Sequence, residues 1–191
     1  MLSSAMASIG AGMMIDKKRI EEAEKNVKMY LEEGMLKKTL TNQSIMKIFL
    51  ANAKESLKVA EEIYNNKTSD LWVIVCSYYS MFYYANAILL KLGYKVGDKV
   101  VHKVTSDAII VYVRDKLKTN LIKQYEEAKE EAEILAGIKA DSLIENFEFE
   151  RNKRSIIQYE TSLSQKESKA KTSLERAREF AKVIKQLLDI E

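Results

Sequence analysis

The chain of 191 residues contains no proline and only six glycines. These two residues are the usual punctuation of helices, so little here compels a helix to stop. A single cysteine, Cys76, excludes an intrachain disulfide and any metal site built from cysteines. There is one histidine, His102, so no group of imidazoles exists to hold zinc. No glycine-rich phosphate loop is present, and neither a metal nor a cofactor is expected. An excess of one charge is also missing: 31 Lys and Arg stand against 28 Asp and Glu, a formal net charge of +3. A total that small does not point to nucleic acid, which requires local clusters of cations. No uninterrupted apolar run reaches the roughly 18 residues of a membrane span. Tyrosines, serines and Lys91 interrupt the most apolar region.

What is present reads as helix. Ala, Leu, Glu, Lys and Met, all strong helix formers, recur throughout. Hydrophobic residues make up 47% of the chain and charged residues 31%, a balance that fits a globular protein and neither a disordered nor a membrane one. The opening MLSSAMASIGAGMM is small, apolar and uncharged, whereas a secretory signal carries positive charge before its apolar segment. Residues 1–14 are therefore expected to be a flexible leader. Residues 15–191 are expected to form a single helical domain in the cytoplasm, without a membrane anchor.

The apolar spacing predicts a first helix over 16–33, capped by Asp16 and ended by Gly34, with a thin stripe at Ile20, Ala23, Val27, Tyr30 and Leu31. A second is predicted over 42–65, capped by Thr41 or Asn42, and a turn follows at 65–69. The third, over 70–93, is capped by Ser69 or Asp70 and is apolar around most of its circumference, which implies burial on several sides. Tyr78, Tyr79, Tyr83 and Tyr84 lie on it and read as core or dimer-interface packing. Cys76 reads as a small buried hydrophobe. Residues 94–99 read as a loop, 100–118 as a fourth helix, and 121–163 as a long helical region that Gly137 bends or interrupts. A polar segment at 162–171 then precedes a last helix over about 170–189. The acidic stretch at 126–133 reads as a solvated helix face. The expected architecture is one antiparallel helical bundle.

Two segments carry a family resemblance. Tyr78-Tyr79-Ser80-Met81-Phe82-Tyr83-Tyr84-Ala85, running on through Ala87-Ile88-Leu89-Leu90-Lys91 to Gly93, resembles the long central helix of small stand-alone HEPN proteins. Val101-His102-Lys103 looks like the start of that family's next helix. Arg151-Asn152-Lys153-Arg154, followed by Ile156-Ile157-Gln158-Tyr159, resembles the arginine-centred motif late in the domain. The resemblance covers about 42–189. It implies an all-α HEPN-like antiparallel bundle of about five helices, to which 16–33 adds an N-terminal helix.

The resemblance also implies a function. Active members of the family are metal-independent ribonucleases in which an arginine and an asparagine precede a histidine and two copies meet in a homodimer. Some belong to toxin–antitoxin pairs whose partner, a minimal nucleotidyltransferase, modifies a tyrosine of the motif. On this match Arg151, Asn152 and Tyr159 take the catalytic positions, Tyr159 being the tyrosine for the partner. Arg151, Lys153, Arg154 and His102 would contact phosphate or RNA. The histidine of the motif would fall near Ile156 or Ile157, and neither can move a proton. An alternative match runs from Arg154 to Gln158-Tyr159, where Gln158 stands in place of an acid. RNA cleavage by the 2′-hydroxyl benefits from a group titrating near working pH. Arginine stays charged and clamps phosphate. Arginines without a base describe an anion-binding site better than a complete nuclease, so enzymatic activity stays open. A non-enzymatic helical interaction module, or a nucleotide-binding partner of a nucleotidyltransferase, is the alternative. For the arginines the competing role is salt bridging to Glu148, Glu150 or the acids at 126–133. For His102 it is an interhelical hydrogen bond.

Overall fold

Three polar side chains start the helices where the spacing requires. In the computed structural model, which describes residues 15–117, 119–136 and 163–190, α1 spans Lys17–Glu32, α2 Gln43–Asn65 and α3 Asp70–Lys91. The Asp16 carboxylate accepts from the Lys18 amide, Asn42 from Ser44 and Ile45, and Ser69 from Trp72. Each such cap satisfies amides that have no partner within the helix and is worth about 1 kcal/mol. Next come α4 at Val101–Tyr112, a 3-10 turn at Arg114–Lys116, α5 at Thr119–Ala136 and α6 at Leu163–Leu188. The described helices are thus five bundle helices preceded by an N-terminal one, the all-α architecture expected.

Helix α3 is the axis. It packs most extensively against α2 and α6, and also against α5 and α4. Val73, Ile74, Tyr78, Met81, Ile88 and Leu89 are among its buried side chains. By length and mean hydropathy α3 is able to cross a membrane, despite its tyrosines and serines, yet 78% of its most apolar window is buried inside the bundle. Its less buried positions, Trp72, Cys76, Tyr79 and Tyr83, recur at helical spacing along one stripe. Cys76 is therefore half-buried rather than fully enclosed, and burial raises its thiol pKa.

Three boundaries differ from the sequence reading. Residues 94–99 are not all loop: β2 at Tyr94–Val96 pairs antiparallel with β1 at Leu36–Lys38, Leu36 facing Val96 and Lys38 facing Tyr94. Three-residue strands are too short to show a two-residue alternation, so only the pairing reveals them. The ladder is extended by the Thr39 amide on the Gly93 carbonyl at 2.8 Å and the Gly97 amide on Met35 at 2.7 Å. Gly93 has φ +84°, a conformation that costs a side-chain-bearing residue about 1–2 kcal/mol. The fourth helix stops at Tyr112, and α5 begins at Thr119, before the predicted start at 121. Finally, α6 begins at Leu163, so residues through Lys171 are helix rather than a polar connection. Glu167 and Ser168 there are exposed, which removes the apolar stripe that periodicity reads.

Candidate functional site

His102 lies in the first turn of α4 and is 5% exposed. The residue that leads into this turn, Val100, has φ 43° and gives no side-chain cap. A β-branched residue in the left-handed region is strained, and the strain sits two residues before the histidine. The His102 Nδ1 is 2.8 Å from the Tyr78 hydroxyl on α3. Either the phenol donates to Nδ1, leaving the ring proton on Nε2, or Nδ1–H donates to the phenol oxygen. The imidazole is enclosed by aromatic rings, with centroids at 4.5 Å for Phe82, 5.5 Å for Tyr78 and 5.8 Å for Tyr79. The residue thus makes an interhelical hydrogen bond between α3 and α4. Burial first, and then the neighbouring Tyr125, hold the Tyr78 pKa well above the ordinary tyrosine value. Asn86 joins the same α3–α4 seam by donating to the Phe82 carbonyl at 2.9 Å and to Thr105 at 3.3 Å.

A second polar cluster lies on the other side of α4. Asp107 is fully buried and accepts from Arg19 at 2.6 Å, Tyr30 at 2.9 Å and Asn26 at 3.0 Å. Arg19 also bonds Glu126 of α5 through Nε at 2.9 Å, and Ser106 donates to the same carboxylate. The guanidinium joins three helices. Burial disfavours its charge, but the hydrogen bond to Asp107 and the charges of Glu126 and Asp107 outweigh that, and its pKa rises. Tyr30 is held well above the ordinary tyrosine value, by burial and then by the Asp107 charge. Sequence reasoning passed over this cluster, although a signal for it exists. Val104, Asp107, Ala108 and Val111 share one face of α4, and an acid on an apolar face requires a cation and donors from a neighbour. Arg19, Asn26 and Tyr30 sit on one face of α1.

The acidic stretch of α5 is not simply a solvated face. Glu126 carries Arg19, Glu127 and Glu131 both bind Arg176 of α6 at 2.6 and 3.2 Å, and Glu133 pairs with Lys129 at 3.5 Å. Glu130 is the exposed one. Of the acids that compete for the arginine motif, Glu126, Glu127, Glu131 and Glu133 hold other cations, while Glu148 and Glu150 lie outside the described residues.

Arg151, Asn152, Lys153, Arg154 and Tyr159 lie outside the described residues, so of the sequence-derived site residues only His102 is placed. Among the described residues no group of three or more His, Cys, Asp and Glu is arranged to hold a metal ion. No curated protein and no solved structure matches the chain. The model of the HEPN domain matches residues 46–187, a span that takes in most of α2, all of α3, α4 and α5, nearly all of α6 and the whole arginine segment. It leaves out α1 and β1, the N-terminal additions to the bundle. A match over most of the chain, on a helical bundle organised around the long α3, makes this protein a member of the HEPN domain family.

Proposed function

We propose that the chain is a HEPN-family RNA-binding protein that acts as a homodimer and lacks histidine-assisted cleavage. The family match over 46–187 carries this reading, because that span contains Arg151, Asn152, Lys153, Arg154 and Tyr159. In the proposed role Arg151 and Arg154 clamp phosphate, Lys153 adds charge, and Asn152 and Tyr159 hydrogen-bond the sugar–phosphate chain. The positions where the family places its proton-transfer residue are Ile156 and Ile157, or Gln158 on the alternative match. His102 is a poor substitute as a general base: it is buried, and Tyr78 engages its Nδ1. Tyr159 is the residue that a nucleotidyltransferase partner would modify in a toxin–antitoxin setting, with the cytoplasm as the compartment. Titrating labelled RNA with the protein tests the reading. Arg151→Ala and Arg154→Ala are each expected to weaken binding about 10-fold, the loss of a charge-assisted hydrogen bond, while the RNA stays intact.

A protein-interaction role is favoured by one observation. Trp72 is 55% exposed and begins the stripe that continues through Cys76, Tyr79 and Tyr83 on α3. An exposed tryptophan at the head of an aromatic stripe is a suitable anchor for another protein. If RNA binding is absent and Trp72→Glu abolishes self-association, this second reading replaces the first.

A further inference from the structure

A groove of about 600 Å³ runs between α2 and α6. Lys54 and Lys58 line it from α2, and Arg178, Lys182 and Lys185 from α6. Glu61 is the one carboxylate among the lining residues, and Arg178 already binds it at 2.8 Å. The five cations against one acid exceed the formal net charge of +3 carried by the whole chain. An almost balanced sequence thus carries a local excess of positive charge here. This is the local clustering that the total conceals.

The arrangement is not what helix stability alone selects. Lys54 and Lys58 are four residues apart on α2, as are Arg178 and Lys182 on α6. Like charges at that spacing destabilise a helix by about as much as opposite charges stabilise it. Lys17–Glu21, Lys123–Glu127 and Lys129–Glu133 place opposite charges there, and the like pair Glu127 and Glu131 is neutralised by Arg176 between them. Lys58 has an acid, Glu62, at 3.7 Å. Lys54, Lys182 and Lys185 have no ion-pair partner among the described residues. The helix dipole accounts for Lys185, in the last turn of α6. It does not account for Lys54, in the middle of α2. The floor is apolar, with Leu57, Ala181 and the edge of the buried Tyr84. The cations run from Lys54 to Lys58 on α2 and from Arg178 to Lys185 on α6, about 6 Å and about 10 Å of helix axis.

We propose that the α2–α6 groove is a track for the phosphate backbone of single-stranded RNA, with Lys54, Lys182 and Lys185 as its principal contacts. This rests on the reading of the protein as RNA-binding and adds a second contact surface to the arginine motif. Lysines are point charges without a fork geometry, and the floor offers no exposed aromatic ring, so the track reads charge and not base identity. At a stacked spacing of about 3.4 Å per nucleotide, 10 Å of groove accommodates about three phosphates.

The test is fluorescence anisotropy of a labelled 12-nucleotide oligouridylate with the full chain, across a range of salt. The wild type is compared with Lys54→Gln/Lys182→Gln/Lys185→Gln and with Arg151→Ala/Arg154→Ala. The lysine variant leaves the Arg178–Glu61 and Lys58–Glu62 pairs intact, and its thermal midpoint is expected to equal or exceed that of the wild type. Its affinity is expected to fall at least 10-fold. Its log–log salt slope is expected to become shallower by about 2, since single strands release about 0.7 counterion per phosphate. Wild-type affinity and slope in a folded lysine variant overturn the groove. If the arginine variant loses binding in the same experiment, the RNA-binding reading stands without it. No binding by the wild type overturns both. Binding of polyglutamate but not RNA, lost in the lysine variant, also overturns the proposal and reassigns the groove to an acidic protein segment.

Discussion

Arg19 and Asp107 lie 88 residues apart in sequence, and their side chains meet at 2.6 Å beneath the surface of the bundle. The pair joins a helix outside the family-matched span to one inside it. Helix α1 has only a thin apolar stripe, with Ala23, Val27 and Tyr30 buried. Its attachment to α4 therefore depends on this polar contact as well as on packing. Arg19→Met removes the only cation bonded to Asp107 among the described residues and strands a carboxylate with no exposure. Breaking a buried pair from one side costs about 3–5 kcal/mol. In a chain of this size that corresponds to a fall in melting temperature of roughly 6–20 °C. Calorimetry of the variant checks it, and a fall under 2 °C means that α1 does not rely on the pair.

Alkaline pH is expected to unfold the protein through its tyrosines. Tyr30, Tyr78, Tyr79, Tyr84, Tyr112 and Tyr125 all have pKa values raised in the fold, chiefly by burial, with Tyr112 pushed up to about 12. A folded pKa above the unfolded value of about 10 means the unfolded chain loses its protons first. The stabilising contribution is complete below about pH 10 and is lost as pH rises beyond it. Tyrosinate absorbance and circular dichroism followed together are expected to change in one transition above pH 10. Ionisation of most tyrosines in a still-folded protein contradicts the assignment.

The seam between α3 and α4 depends on Tyr78 and His102. Tyr78→Phe leaves Nδ1 without this partner in a buried site, at a cost of about 1–3 kcal/mol. Tyr78→Phe combined with His102→Leu is expected to cost less than the two single changes added, with a coupling energy of about 1 kcal/mol. Urea denaturation of the four proteins gives that coupling. A value near zero shows that the bond adds nothing to packing.

Val100 offers a stabilising change. Its left-handed backbone costs a β-branched residue about 1–2 kcal/mol, and it caps α4 without a side-chain hydrogen bond. Asparagine tolerates that conformation and supplies a capping oxygen. Val100→Asn is expected to raise stability by about 1 kcal/mol, after some loss of the apolar contact Val100 makes with the core. A lower melting temperature shows that the contact outweighs the strain.

The first three helices were legible because each start carries its own marker. Asp16, Asn42 and Ser69 precede apolar spacing of helical period, and each accepts from the first turn. The β1–β2 ladder was not legible, because its six residues lie 56 or more apart across the pairing and carry no local pattern. The Asp107 cluster was legible in principle, as an acid on an apolar face, but its partners come from α1 and α5, which periodicity alone does not pair. His102 stood out as the lone histidine, and only the packing of α3 on α4 shows that it faces aromatic rings. The basic groove escaped because its cations on the two helices lie 120 or more residues apart, and a balanced total charge masks them.

The central claim is that this HEPN-family chain binds RNA through Arg151 and Arg154 without cleaving it efficiently. Anisotropy of labelled single-stranded RNA, read alongside the integrity of that RNA on a denaturing gel, tests it most directly. The account predicts saturable binding by the wild type, about 10-fold weaker binding for each arginine-to-alanine variant, and full-length RNA throughout. Undetectable binding, binding indifferent to both arginines, or rapid multiple-turnover cleavage would contradict it.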